Sequence, residues 1–201
     1  GHVVIAGFGR FGQITARVLS ARGIPFIALD NSPEQVDLVA RFGSRAYFGD
    51  ASRLHILEAA QTRKARAFVL AIDDVEASLR TAEIVRRHFP DVPVFARARN
   101  RQHAHRLMDL GIKHIRRETF LSALDLTREV LGGLGFSSAE VTRMTDAFRQ
   151  HDEQHLFDDY ADHADQQKMQ VMARKYHEEL VDLFRHDEAG LGAETPEDGK
   201  G

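Results

Sequence analysis

The sequence predicts an α/β protein, with a doubly wound parallel sheet of about six strands and a C-terminal helical extension. The first observation behind this prediction is a series of short apolar runs, which recur every 20–25 residues or so up to residue 118. The second is that amphipathic stretches separate most of these runs, as helices do when they cover both faces of a parallel sheet. The third is that the strand pattern stops after Thr119, where only helical periodicity continues.

Each predicted strand is a nearly continuous apolar run. In chain order the runs are HVVIAG, PFIALD, RAYFGD, AFVLAIDD, VPVFARA and KHIRRE. Two of the intervening helices are marked by apolar residues at helical spacing, which are Val36, Leu38, Val39 and Phe42 in one and Leu79, Ala82, Ile84 and Val85 in the other. Six strands with such crossovers predict a Rossmann-type domain over residues 1–118.

Residues 119–189 predict a helical region that serves in dimerisation or lies at the periphery. TFLSALDLTREVL predicts a helix that begins at Thr119 and is broken by Gly132-Gly133, and Ser137 with Glu140 has capping-box spacing. A single apolar stripe follows, formed by Val141, Met144, Phe148, Met169, Met172, Tyr176, Leu180 and Leu183. The polar stretch HDEQHLFDDYADHADQQ within it predicts packing on another subunit or a kink back over the same domain. Residues 190–201 predict a disordered acidic tail.

The composition is typical of a globular protein and excludes several kinds of site. The chain is 43% hydrophobic and 28% charged, and it contains no cysteine, so disulfides, thiolate nucleophiles and cysteine-ligated metals are excluded. No apolar run approaches the roughly 18 residues of a spanning helix, and no signal peptide opens the chain. Gly1 resembles a cloning remnant and a strand follows at once, so we expect a fragment of a longer protein.

The charge is divided unevenly along the chain. Residues 1–150 carry 22 basic and 16 acidic residues, whereas residues 151–201 carry 5 basic and 14 acidic residues. One interpretation is that the acidic part is a solvated helix and tail. The alternative is that basic clefts in the first part hold an anion or the acidic segment of a neighbouring subunit. Nucleic acid is not a predicted partner, because the basic residues form no single stripe with interleaved aromatics and the pI is about 6.4.

A glycine-rich turn predicts the main binding site. Gly7, Gly9 and Gly12 in GFGRFG match G-x-G-x-x-G directly after the first strand and at the start of a helix. Gly7 permits the tight turn, Gly9 lets a pyrophosphate approach the backbone, and Gly12 lets helix and strand pack closely. Arg10 and Phe11 complete the turn, whose free N–H groups would face the phosphates.

An acidic residue at the end of the second strand predicts which nucleotide binds. Asp30 follows Gly12 by 18 residues, where a carboxylate accepts hydrogen bonds from ribose hydroxyls. Asn31 and Ser32 come next, and neither is an arginine that would bind a 2′-phosphate. The sequence therefore favours NAD(H) or an adenine mononucleotide such as AMP over NADP, with an empty Rossmann cleft as the alternative.

Further polar residues follow the later strands, at the sheet edge where such folds bind ligands. Asp50 and Ala51 follow the third strand, and Asp73 and Asp74 follow the fourth. Asp50 and Asp73 are candidates for the adenosine pocket, although simple turn residues would look the same. For Asp74 we favour a turn or helix-capping role.

The sequence offers binding groups but little catalytic machinery, so we expect that the protein is not an enzyme. Nothing after residue 118 resembles a substrate domain with a proton donor or acceptor. Among eleven histidines, His151 and His155 lie four apart on one predicted helix, with His163 beyond. On a polar helix this pattern is typical of a solvated surface, and no metal site is predicted.

Several motifs in order resemble a known family. The motifs are VVIAGFGRFGQITARVL, ALDNSPEQVDLVARFGSRAYFGDASRLHILEAA, AIDD, FARARN and RRETF. From residue 2 to about residue 150 the chain resembles the nucleotide-binding (RCK/KTN) domain of Kef-type glutathione-gated potassium efflux systems. The resemblance implies a homodimeric regulatory domain at the cytoplasmic face of the bacterial inner membrane. It would be attached to a cation/proton antiporter-like membrane domain of the same polypeptide that is absent here, and a quinone-reductase-like ancillary subunit is a candidate partner.

The resemblance also implies an effector site for glutathione or its S-adducts at the dimer interface. Free glutathione would keep the transporter closed, and bulky adducts would open it. Carried over by motif, the contacts are Arg17, Phe42, Arg117 and Asp152. Arginine pairs well with the carboxylates of glutathione. From the residues alone, Arg17 and Arg117 are also explained as surface ion pairs, and Phe42 as core.

Two positions depart from the family pattern, and two other functions remain open. Asp152 stands where the family has asparagine, and Asn100 follows ARAR where the family often has aspartate. One alternative is an NAD-dependent oxidoreductase or epimerase fragment. The other is the RCK domain of a Trk or Ktr-type potassium uptake system, which would carry a second ligand subdomain of mixed strands and helices.

Overall fold

The computed structural model describes residues 1–34, 45–162 and 166–191. Its sheet has six parallel strands in the order β3-β2-β1-β4-β5-β6. The strands are β1 (Val3–Ala6), β2 (Phe26–Asp30), β3 (Arg45–Phe48), β4 (Ala67–Leu70), β5 (Val94–Ala98) and β6 (His114–Arg117). The predicted doubly wound Rossmann-type fold with C-terminal helices is confirmed, because this strand order reverses direction between β1 and β4, as in dinucleotide-binding domains.

Helices connect the strands and form the C-terminal part. They are α1 (Arg10–Ala21), α2 (Leu54–Ala59), α3 (Val75–His88), α4 (Arg101–Asp109), α5 (Phe120–Gly133), α6 (Ser138–Asp158) and α7 (Gln166–Leu191), with short 3-10 turns at Thr62–Lys64 and Asp159–Asp162. The helix predicted from Val36 to Phe42 lies outside the described residues. No helix in the described ranges is both long and apolar enough to cross a membrane.

The central strands are buried because their side chains face helices on both sides of the sheet. Every residue of β1 is buried, and Phe8 just beyond it is fully inaccessible to solvent. The Phe8 ring stacks on Phe26 of β2 at a centroid distance of 6.3 Å. This packing fixes the glycine turn against the two strands that precede and follow helix α1.

The chain divides into two compact units, Gly1–Phe120 and Leu121–Gly201. In the second unit, Ser137 and Glu140 form the predicted capping box at the start of α6. Helix α5 ends at Gly133, at the glycine pair where the sequence predicts a break, and the Leu134 N–H still donates to the Val130 carbonyl at 3.0 Å. Gly135 follows in the turn, with a φ of 98° that glycine adopts without steric cost.

Candidate functional site

The turn after β1 can be built only with glycine at its first position. Gly7 has φ of 92°, and a Cβ placed on it would lie 2.7 Å from the carbonyl group of Ala71 and from the amide nitrogen of Ile72. Its own N–H donates to the Leu29 carbonyl of β2 at 2.9 Å. The turn is therefore held between β2 and the end of β4, at the carboxyl edge of the sheet.

The other two glycines of the motif have different surroundings. A Cβ on Gly12 would lie 2.1 Å from the Gly7 carbonyl oxygen, so glycine is required for α1 to pack on the turn. A Cβ on Gly9 would have no atom within 4 Å and would stand in open space. Gly9 is the N-cap of α1, which has no side-chain cap and no acidic residue in its first turn. An anion can therefore approach the start of this helix.

Asp30 connects the end of β2 to the glycine turn. Its Oδ2 atom accepts a hydrogen bond from the Phe8 N–H at 2.6 Å, and its Oδ1 atom accepts one from the Ser32 N–H at 2.8 Å. These two bonds fix the orientation of the carboxylate. Because each carboxylate oxygen can accept more than one bond, both retain capacity for ribose hydroxyls.

A cleft of about 760 Å³ opens at this edge of the sheet, and the described Gly1–Phe120 unit supplies all its lining residues. That volume falls within the usual range for small-molecule sites of about 300–1,000 Å³. The lining includes every residue predicted for the nucleotide except Gly12, namely Gly7, Gly9, Arg10, Phe11, Asp30, Asn31, Asp50, Ala51 and Asp73. Gly12 is buried behind the turn, where it serves the packing of α1.

The cleft also contains an ion-pair network that the sequence did not predict. The Arg97 side chain, only 8% exposed, pairs with Asp73 and with Glu118, and its Nη1 donates to the Ala71 carbonyl at 3.1 Å. The hydrogen bond from Arg97 holds the pKa of Asp73 below its ordinary value. Arg97 is the last residue but one of β5, and Glu118 directly follows β6, so the signal was their place at the carboxyl ends of strands.

Three acidic or amide residues near the cleft have local roles. Asp74 is the N-cap of α3 and accepts from the Ala77 N–H at 2.7 Å, which confirms its capping interpretation. Asn100 caps α4 in the same way, by accepting from the His103 N–H at 2.8 Å. A hydrogen bond from Ser52 holds the pKa of Asp50 below its ordinary value, so this side chain is a carboxylate at neutral pH.

The residues assigned to glutathione belong to different parts of the chain. Arg17 is exposed on α1, and the guanidinium of Arg117 lies over the Phe120 ring at 4.1 Å. Asp152 belongs to the second unit, where it is 5% exposed and accepts a hydrogen bond from the Tyr176 hydroxyl at 3.3 Å. Phe42 lies outside the described residues.

The predicted solvated surface for the histidines of α6 is wrong. The side chains of His151 and His155 are only 17% and 20% exposed, because α7 packs against this face of α6. Sequence spacing could not indicate this, since the residue that both histidines meet is Glu179, more than twenty positions along the chain.

Two family models match the chain. Residues 3–117 match the TrkA-N domain, and residues 122–198 match the potassium efflux system KefB C-terminal domain. The glutathione-regulated potassium-efflux system protein KefC of Cronobacter sakazakii is 42% identical over 153 residues, which are 76% of this chain and 25% of that protein. The KefC protein of Escherichia coli O139:H28 is 41% identical over 148 residues, 74% of this chain and 24% of that protein. The chain thus spans about a quarter of the length of these relatives.

Solved structures show the same architecture. The Kef C-terminal domain of Shewanella denitrificans in its AMP-bound form matches with a TM-score of 0.74 and 41% identity. The match covers 80% of this chain and 98% of the Shewanella chain. The TrkA-N domain of the E. coli inner membrane protein ybaL has a TM-score of 0.58 and 24% identity, covering 66% of this chain and 96% of its own. The GsuK channel bound to NAD has a TM-score of 0.58 and 19% identity, covering 63% of this chain and 23% of its own, so it supports the fold alone.

Proposed function

The chain belongs to the TrkA-N domain family and is a Kef-type RCK regulatory domain, and from this premise we propose that it senses metabolites for a potassium efflux system. A nucleotide, AMP or NAD(H), binds in the cleft beside Gly9 and Asp30. Glutathione or its S-adducts bind at a second site and control gating of a potassium/proton antiport domain in the same polypeptide. The domain works at the cytoplasmic face of the inner membrane.

One observation carries the nucleotide part of this proposal. A relative solved in its AMP-bound form is 41% identical and matches over 98% of its own length, and the present cleft has an open face at Gly9 and an oriented carboxylate at Asp30. Isothermal titration of the chain with AMP, NADH and NADPH tests the assignment. We expect one AMP or NADH per chain and much weaker binding of NADPH, because Asn31 and Ser32 offer no cation for a 2′-phosphate.

We assign the cleft a binding role and no reaction step. Among the described residues that line it there is no histidine, lysine, cysteine or tyrosine, and its five carboxylates each accept a backbone hydrogen bond or pair with Arg97. The buried guanidinium of Arg97 is already paired with Asp73 and Glu118. The oxidoreductase alternative predicts nicotinamide turnover, so a steady NADH absorbance with candidate substrates would remove it.

The alternative of a Trk or Ktr-type uptake system has less support. It predicts a second ligand subdomain of mixed strands and helices after the Rossmann-type domain. In residues 121–162 and 166–191 the structure has helices and a short 3-10 turn, with no strand in these described ranges. The family match over residues 122–198 is to an efflux system.

Glutathione binding depends on two arginines in this proposal. We expect Arg17→Ala and Arg117→Ala each to weaken binding of S-substituted glutathione by about 1.5–3 kcal/mol, or roughly ten- to a hundredfold, because each removes a charge-assisted hydrogen bond to a ligand carboxylate. Affinity for AMP should stay unchanged in both variants. Isothermal titration measures the two affinities.

The matched control is Arg22→Ala, which removes another exposed arginine close to the end of α1. This variant should bind the glutathione adduct as the unchanged chain does. An equal loss in Arg22→Ala would show that overall charge, and not a specific contact, determines binding.

We also propose that the chain forms a homodimer through an apolar stripe on α5. Leu126 and Val130 lie on α5 and Leu134 directly follows its last residue; the three come at spacings of four and are 63%, 53% and 70% exposed. Side chains at this spacing share one helix face. Large apolar side chains that are exposed together on one face are typical of a surface that is covered in the assembled protein.

Placing a charge in this stripe should separate the dimer. We expect Val130→Asp to shift the chain from dimer to monomer in light scattering after size-exclusion chromatography, because a carboxylate buried without a partner is costly. The control is Glu129→Gln, at the exposed position directly before Val130, which should leave the dimer intact. A Val130→Asp protein that remains dimeric would contradict this interface.

A further inference from the structure

Three side chains that can bind a metal meet where α6 packs against α7. They are His151 and His155, one turn apart on α6, and Glu179 on α7. The Nε2 atom of His155 lies 2.9 Å from the Oε2 atom of Glu179, and the Nε2 atom of His151 lies 3.5 Å from the same oxygen. All three donor atoms fall within 4.8 Å of one another. Both rings therefore direct the same nitrogen toward one carboxylate oxygen.

These separations suit a small tetrahedral cation. Zinc binds imidazole nitrogen and carboxylate oxygen at about 2.0–2.2 Å, so two donors of one tetrahedron lie roughly 3.3 Å apart. The two measured distances between the histidine nitrogens and Glu179, 3.5 Å and 2.9 Å, lie on either side of that value. Small side-chain rotations would make both equal.

We propose that His151, His155 and Glu179 bind one Zn²⁺ ion that connects α6 to α7. Two histidines and one glutamate form a known zinc ligand set, and the fourth position would hold water. The ion would fix the packing of the two helices in the Leu121–Gly201 unit. None of the three ligands belongs to the nucleotide or glutathione sites proposed above, although Asp152, which the family resemblance assigns to glutathione, lies beside them.

The neighbouring side chains hold the three ligands in place. The Tyr176 ring packs against both imidazoles, at centroid distances of 4.7 Å from His151 and 5.0 Å from His155. Its hydroxyl donates to the buried Asp152, which fixes the ring. These contacts limit the rotation of both imidazoles.

The second oxygen of Glu179 is occupied, which leaves Oε2 for the histidines. The Nζ atom of Lys175 lies 3.4 Å from Oε1. Burial acts to raise the pKa of Glu179, but the hydrogen bond and charge of Lys175 and the proximity of His155 hold it below its ordinary value. The geometry therefore leaves Oε2 of Glu179 facing the two imidazole nitrogens.

Titration with Zn²⁺ alone tests the site on the whole chain after treatment with a chelator. Because the chain has no cysteine, thiolates cannot compete for the ion. We expect one tightly bound equivalent per chain. His155→Gln and Glu179→Gln should each weaken it by about tenfold or more, since even residues that only orient a ligand contribute about 10- to 100-fold.

The matched controls are His177→Gln and Glu178→Gln, which change the same residue types at exposed positions on α7. Both should bind Zn²⁺ as the unchanged chain does. Binding that is equally weakened in the controls, or equally tight in all four variants, would overturn the proposal. The absence of a tight equivalent in the unchanged chain would also overturn it.

A second measurement separates loss of binding from loss of folding. Zn²⁺ should raise the melting temperature of the unchanged chain, because a ligand of the folded state stabilises it, and should do so less in Glu179→Gln. Co²⁺ in place of Zn²⁺ should give the visible absorption of a tetrahedral site. A Co²⁺ spectrum that is octahedral, or unchanged in His155→Gln, would contradict the assigned ligands.

Discussion

Replacing Gly12 with alanine is expected to destabilise the Gly1–Phe120 unit by about 3 kcal/mol or more, the upper end of the cost of overpacking. The reason is that the new Cβ would lie 2.1 Å from the Gly7 carbonyl oxygen, a backbone atom that can move only if α1 or the turn moves. In a chain of this size each kcal/mol lowers Tm by about 2–4 °C, so we expect a fall of roughly 6–12 °C. Nucleotide binding should be lost together with the turn geometry.

The neighbouring position provides the control for this prediction. Gly9→Ala places its Cβ in open space at an ordinary φ of −69°, so Tm should hardly change. Nucleotide affinity should still fall by about tenfold or more, because the methyl group occupies the space through which a phosphate approaches the helix start. Thermal melting and titration with AMP distinguish the two effects. If both variants were equally stable, the role of Gly12 in packing would be refuted.

Replacing Asp30 with asparagine is expected to weaken AMP binding by roughly ten- to a hundredfold, or about 1.5–3 kcal/mol, since bonds to a charged acceptor are lost. An amide has one acceptor oxygen, whereas the carboxylate accepts from both the Phe8 N–H and the Ser32 N–H. In the variant an NH₂ group would therefore face one backbone donor. The turn would be less well oriented and the ribose would lose its acceptors.

The control for this second change is Asp74→Asn in the same cleft. Asp74 caps α3, and asparagine is about as good an N-cap as aspartate, so both stability and affinity should be preserved. Calorimetric titration with AMP gives the affinities, and thermal melting shows whether each variant is folded. Equal affinities in Asp30→Asn and in the unchanged chain would show that Asp30 does not contact the nucleotide.

The sequence predicted the parts of the cleft that depend on local chain geometry. The spacing of Gly7, Gly9 and Gly12 after an apolar strand required a tight turn, and Asp30 ended the next strand, so parallel pairing brought them to one edge. The turn and Asp30 lie at one edge because the carboxyl ends of adjacent parallel strands are at the same edge of a sheet. The individual role of each glycine followed from its steric surroundings once the turn was in place.

The features that the sequence did not predict arise from contacts between distant segments. The pairing of Arg97 with Asp73 and Glu118 depends on the order of β4, β5 and β6 in the sheet. The meeting of His151 and His155 with Glu179 depends on how α7 packs on α6. Neither group of contacts has a characteristic spacing in the sequence. Helical periodicity placed His151 and His155 on a polar face, and a polar face alone predicts exposure to solvent.

Native mass spectrometry of the purified chain tests the central claim most directly. The account predicts one intact AMP or NAD(H) per chain, and a glutathione S-adduct that binds in addition to the nucleotide, with both recovered unchanged in mass after denaturation. Displacement of the nucleotide by the adduct, or recovery of a chemically altered nucleotide or adduct, would contradict a domain that binds both at separate sites without transforming either.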